Sequence, residues 1–323
     1  MKAELECVPN VSEGRRPEVI ARLAAAVSVE GVELLDVAPD PDHNRTVLTL
    51  AGSEAGLHQA LLGLYQAALE AIDLTVQAGA HPRVGAVDVV PFVPLGATPM
   101  ARAVAAAERL AGEVARRFDL PVFLYEEAAR RPERRSLPEI RRGGPIRLAE
   151  RMKNESWQPD FGPARLHPTA GATVVGARFF LIAFNVLLET AEVEVAKRIA
   201  KAVRASSGGL AAVRAIGVYL PSRRRAQVSL NLLDYRQTSL LRMVEAVREQ
   251  AEREGTRIFA SELIGLAPAA ALLGPLADLL ELPELPASRL LEHRLLLAEG
   301  GEDPAGHAVE RTGGHGDNHV SRR

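Results

Sequence analysis

Apolar residues in this chain alternate between a two-residue and a 3.6-residue period in a fixed order, and that order occurs twice. Residues 5–8 alternate as a strand. Pro17 stands where a first helical turn starts, Val19, Ile20, Leu23 and Val27 share one face of the helix, and Gly31 ends it. Residues 32–37 and 45–51 read as strands around the turn cluster Asp40-Pro41-Asp42-His43-Asn44. Leu57, Leu61, Leu64 and Ala68 mark a second helix, and residues 84–94 a strand. The second half repeats this without obvious sequence similarity. It has strands over 179–187, 213–220, 226–233 and 257–264, and helix stripes Val193/Ala196/Ile199/Val203 and Leu240/Val244/Val247/Ala251. Two βαββαβ units predict an α/β (α+β) protein of two ferredoxin-like subdomains packed together.

A helix over 104–118 and a strand over 122–125 extend the first unit, and helices over 268–297 are expected to cover a sheet face. The predicted domains are 1–178 and 179–299. The tail 300–323 has no apolar periodicity and is expected to be disordered; its His307, His315 and His319 are a weak metal-binding pattern.

Composition narrows the function. A formal net charge of −2 argues against a nucleic-acid partner. No apolar run approaches the roughly 18 residues of a membrane span, and the N-terminus lacks a signal-peptide core, so a cytoplasmic protein is expected. Cys7 is the only cysteine, which excludes internal disulfides and thiolate metal clusters, and no metal is expected. All but four of the 39 basic residues are arginine.

His81 carries the sharpest chemical signal. Pro82 pushes it out of helical backbone space, so it sits at a corner between a helix and a strand, where its ring can face open space. With an unperturbed pKa of about 6.5 such a ring can take and give a proton near neutrality. A long breaker-rich connection runs from about 128 to 176, a length that usually serves function. Its arginines, among them Arg130, Arg131, Arg134, Arg135, Arg141 and Arg142, read either as a solvated helix surface or as anion recruitment beside Gly-rich turns.

Seven ordered motifs over residues 4–297 resemble the glutamate formimidoyltransferase (formiminotransferase) family in its monofunctional form. They are Glu6-Cys7-Val8-Pro9-Asn10-Val11-Ser12-Glu13-Gly14, Asp42-His43-Asn44-Arg45-Thr46, His81-Pro82-Arg83-Val84-Gly85-Ala86-Val87-Asp88, Pro159-Asp160-Phe161-Gly162-Pro163 with His167-Pro168-Thr169-Ala170-Gly171, the run from Gly176 to Asn185, the run from Ala226 to Asp234, and the run from Ser261 to Pro268. The resemblance implies transfer of the formimino group from N-formimino-L-glutamate to the co-substrate tetrahydrofolate, in histidine degradation. It also implies a separate cyclodeaminase to receive the product; a homodimer is a possible assembly. By the resemblance the catalytic histidine is His81, and the folate-binding segment is Gly162, Pro163, Ala164, Arg165, Leu166, His167, Pro168, Thr169, Ala170 and Gly171. An acidic residue of the bifunctional relatives corresponds to Ala38, leaving Asp40 and Asp42 as replacements.

Both substrates carry carboxylates, so Arg45, Arg83 and Arg178 are candidate clamps, alternatively structural ion-pair partners. Asp40, Asp42, His43 and Asn44 complete the candidate substrate-binding set. Asp88 is expected to orient a ring or neutralise Arg83, and Trp157 to stack on a pterin or anchor a core. A formylglutamate donor, or a non-catalytic folate-binding module, are the competing readings.

Overall fold

The computed structural model describes residues 3–79 and 82–291. His81 and the tail from 300 onward, including its histidines, lie outside the described residues.

The first domain runs β1 (Leu5–Cys7), β2 (Asn10–Val11), α1 (Pro17–Ala26), β3 (Val32–Asp40), β4 (Arg45–Gly52), α2 (Glu54–Ala71), β5 (Val87–Pro94), α3 (Met100–Phe118), β6 (Val122–Glu126), α4 (Leu137–Arg141), α5 (Gly144–Arg151) and β7 (Thr173–Ala177). β1 and β2 lie between β4 and β5, and β3 pairs with the far side of β4, all antiparallel. This is the ferredoxin-like order. β7 and then β6 add to β5 in parallel. The second domain runs β8 (Ile182–Leu188), α6 (Val193–Val203), β9 (Val213–Leu220), β10 (Arg225–Leu232), α7 (Leu240–Arg253), β11 (Ile258–Ile264) and α8 (Ala269–Leu279). Its sheet order β11-β8-β10-β9 is the same topology without the extension.

Several expected boundaries move for identifiable reasons. The first strand breaks into two around Pro9, which has no N–H to give the ladder. The strand expected from Val84 begins at Val87, because the Asp88 carboxylate takes the N–H groups of Val84 and Gly85 at 2.6 and 3.2 Å. The connection expected to be irregular holds α4 and α5. Each has a proline in its first turn, where proline starts a helix rather than breaking it. The helices expected over 268–297 reduce, among the described residues, to α8 and a short turn at Ala287–Arg289. α8 packs beside α7 instead of spanning a sheet, and Leu272, Leu276 and Leu279 stay exposed.

Strand alternation decides what faces what. In the first sheet Leu5, Cys7, Leu48, Leu50, Val90 and Phe92 are buried in the core that also holds the apolar faces of α1, α2 and α3. In the second, Ile182, Val186, Val228 and Leu230 pack with α6 and α7. A third cluster, built on Phe123, Tyr125 and Val174, seats Ile140 of α4 and Leu148 of α5. The remaining faces of the two sheets look toward each other across a cavity.

Candidate active site

The cavity holds about 910 Å³ and is lined by both domains. From the first come Glu6, Val8, Asn10, Arg45, Val47, Thr49, Val89 and Pro91, the alternates of the core residues on β1, β2, β4 and β5. From the second come Ala183, Asn185, Arg214, Ile216, Ser229 and Asn231. Arg141 and Arg142 of the connection, Arg178 of the link and Arg204 after α6 complete the lining, in which arginines outnumber the carboxylates Glu6, Glu126 and Glu139. Arg214 reaches across to Glu126 at 3.2 Å, and Ser222 donates to Asp42, so polar contacts tie the domains on two sides.

Three sequence motifs converge beside this cavity. Asn44, at φ 47°, uses its side chain as a hub: Oδ1 accepts from Gly14 N–H at 3.0 Å, and Nδ2 donates to the Ala78 carbonyl at 3.0 Å and to Gln77. Arg83 donates to the carbonyls of Asn44 and His43 at 3.0 and 2.5 Å. Ser12 Oγ donates to the Gly85 carbonyl at 2.7 Å. These bonds fix the chain on both sides of residues 80 and 81, and Pro82 lines the cavity.

His43 is buried, lines the cavity, and places Nδ1 3.0 Å from Asp40 Oδ2 while its N–H donates to Asp40 Oδ1 at 2.8 Å. Burial works against ionising Asp40, but the contacts with His43 prevail and hold its carboxyl below the usual range. Burial, reinforced by the charge of Arg141, pushes Arg45 down to about 10, still protonated at neutral pH. Burial raises Glu6 despite the opposing charge of Arg178, and pushes Tyr125 up to about 12. A pocket in which arginines crowd one another and a carboxylic acid is hard to ionise is built to accept an anion.

The structure divides the expected residues. His43, Arg45 and Arg178 line the cavity, and Asp40 stands behind His43. Asn44 and Arg83 are spent on backbone, and Asp42 turns to Ser222. Asp88 forms an ion pair with Arg141, and its charge also favours the protonated form of Arg83. Residues 162–171 do not line the cavity. Gly171, at φ +71°, forms a bridge with Gly85, and a Cβ on it would collide with the Val84 carbonyl. The imidazole Nδ1 of His167 accepts from the N–H groups of Thr169 and Ala170 at 3.3 and 3.1 Å, closing that loop on itself. Trp157 carries the Arg151 guanidinium on its ring and packs on the third core cluster. Of the arginine run, Arg134 is 1% exposed and paired with Asp160 at 2.7 Å, neither solvated nor able to meet a ligand.

Arg141 and Arg142, read either as solvated surface or as anion recruitment, both line the cavity. Sequence reasoning did not single out Glu6, Arg204, Arg214, Asn185, Ser229 and Asn231; all of these but Arg204 alternate with core residues along a strand, a pattern that in isolation reads as a solvent face. Among the described residues no three His, Cys, Asp or Glu side chains gather as a metal-binding group.

Comparison with known proteins fits this architecture domain by domain. The model of the formiminotransferase domain, N-terminal subdomain, matches residues 4–178, and that of the formiminotransferase domain matches 183–278. The chain is 42% identical to the glutamate formimidoyltransferase of Streptococcus pyogenes over 294 residues, covering 90% of this chain and 98% of that one. The glutamate formimidoyltransferase of Thermoplasma acidophilum gives 42% over 294 residues, covering 90% and 97%. The formimidoyltransferase-cyclodeaminase of Mus musculus gives 42% over 280 residues, covering 84% of this chain and 52% of its own. Both domains of this protein are thus formiminotransferase domains: the chain belongs to the formiminotransferase family.

Proposed function

We propose that the protein transfers the formimino group of N-formimino-L-glutamate to N5 of tetrahydrofolate, in the cavity between its two sheets. The observation that carries this is the cationic lining contributed by both domains, on a chain similar to glutamate formimidoyltransferases along nearly their whole length. The donor has two carboxylates and the folate tail at least two. Arg45, Arg178 and Arg204 offer guanidinium groups to hold them, beside Arg141 and Arg142, which pair with Asp88 and Glu139.

In this reading N5 attacks the amidine carbon, a C–N bond forms, and the tetrahedral adduct collapses as the bond to the glutamate nitrogen breaks. His81 takes the proton from N5 and returns one to the departing nitrogen, so glutamate leaves with its nitrogen as a neutral amine and the imidazole returns to its starting state. Such proton transfer is worth about 10²–10⁴-fold, and holding two substrates in register supplies up to roughly 7–11 kcal/mol. Asp40 and His43 form the polar wall nearest Arg45, Asp40 taking the acidic place left by Ala38. Tetrahydrofolate is thus a co-substrate, the product is a substrate for cyclodeaminase activity, and the location is cytoplasmic. The test is to incubate the protein with tetrahydrofolate and either formiminoglutamate or formylglutamate, and follow glutamate release and the 5-substituted folate. Product from the formimino donor supports the reading. Product from the formyl donor alone, or from neither, rejects it.

A further inference from the structure

One buried carboxylate holds both the chain just after residue 81 and an arginine of the cavity wall. Asp88, the second residue of β5, is 2% exposed. Its Oδ1 accepts the N–H groups of Val84 and Gly85 at 2.6 and 3.2 Å, three and four residues after His81. Its Oδ2 pairs with Arg141, the last residue of α4 and part of the cavity lining. Arg141 is held from two sides: Ile140 next to it seats α4 in the third core cluster, and Asp88 takes one terminal nitrogen. Its Nε is buried and makes no hydrogen bond, so the pair with Asp88 does not exhaust the five donors of the guanidinium. The charge of Asp88 also favours protonated Arg83, which donates to the carbonyls of His43 and Asn44.

A buried carboxylate is costly unless it is paired and its oxygens are met by donors. Scaffolding alone accounts for a pair such as Arg134 with Asp160, in which neither residue lines the cavity. Asp88 differs. One oxygen holds backbone that leads directly from His81, and the other holds a guanidinium in the cavity wall, so neither shifts without disturbing the other. Proton transfer between bound substrates depends on such registration, because a misplacement of about 1 Å can cost about 10²-fold. We infer that Asp88 is a positioning residue of the transfer reaction, which fixes the chain after His81 and Arg141 at one separation; this rests on the function proposed above.

The experiment measures kcat, and KM for both substrates, on Asp88→Asn, Arg141→Gln and the double variant, well below the melting temperature of each. Asparagine at 88 keeps an oxygen for the two N–H groups and removes the charge that holds Arg141. Asp88→Asn should lower kcat by about tenfold or more while each KM stays within about threefold. The losses should not multiply: the double variant should match the slower single variant within about twofold, because both changes break one link. If Asp88→Asn fails to fold, Arg141→Gln, at the more exposed end of the pair, carries the same kcat prediction. Wild-type kcat in a folded Asp88→Asn protein, a rise in KM alone, or losses that multiply in the double variant overturn the inference, while wild-type turnover leaves the transferase reading intact. A wild-type protein that does not turn over formiminoglutamate and tetrahydrofolate overturns both.

Discussion

Glu13 shows how much of this site is scaffolding made from charged residues. Its carboxylate, 1% exposed, accepts the N–H groups of Arg15 and Arg16 at 2.8 and 3.0 Å and the Arg16 guanidinium at 2.6 Å, just before α1. Burial would raise its pKa, but those bonds outweigh it and the group sits below the usual carboxylate range. A depressed folded-state pKa contributes stability above the unfolded value and loses it as pH falls through the folded one. Glu13→Gln should therefore cost about 1–3 kcal/mol at pH 7, with the gap to wild type closing below about pH 4. Denaturant unfolding at both pH values checks it; a gap independent of pH would mean the charge is not what matters. His81→Asn should lose about 10²-fold or more in turnover with an unchanged thermal melt, and near-normal turnover would remove His81 from the mechanism. Individual residues were partly legible. His43, Arg45 and Arg178 were singled out from their motifs and line the cavity, but their neighbours Asn44 and Asp42 point elsewhere. Residues adjacent in a turn diverge in space, and a motif does not say which of them faces the site.

At the scale of elements the apolar periods located both ferredoxin-like units, because each helix and strand buries one face and that face is written in the sequence. The connection was misread because its order comes from polar contacts between distant residues. Arg134 lies over the Phe123 ring, pairs with Asp160 and donates to the Gln158 carbonyl, while Asp160 also accepts the Leu124 N–H at 2.8 Å. This buried pair fastens the connection to β6. Arg134→Met should destabilise the protein by about 3–5 kcal/mol, since it strands a buried carboxylate; a shift in urea midpoint below half of that would show the pair to be dispensable. The segment 162–171 packs behind the Pro82–Gly85 turn: Gly171 forms a bridge with Gly85, and the Thr169 and Ala170 carbonyls accept the N–H groups of Leu74 and Ala86. His167→Ala is expected to leave the KM for tetrahydrofolate within about threefold if the segment only supports that turn, and a rise of about tenfold or more would make it a folate contact.

The molecule is two sheets of like topology whose outer faces carry α1, α2 and α3 on one and α6 and α7 on the other, while the inner faces carry the polar residues, with α4 and α5 covering the inner side of β6 and β7. That arrangement was not legible from sequence. Alternating polar positions in a strand describe one wet face whether the water is bulk solvent or a cavity, and only the facing sheet distinguishes them. Both domains line the cavity: Arg45, Arg141, Arg142 and Arg178 come from the first, Arg204, Arg214, Asn185, Ser229 and Asn231 from the second. The most direct measurement of this account is therefore turnover of formiminoglutamate and tetrahydrofolate by Ala183→Trp, which places a large ring in the cavity from the domain that does not carry His81. With folding verified by circular dichroism, the variant should lose about 10²-fold or more in kcat/KM while wild type forms glutamate and the 5-formimino product; a folded variant with wild-type turnover would place the chemistry outside the cavity and contradict the account.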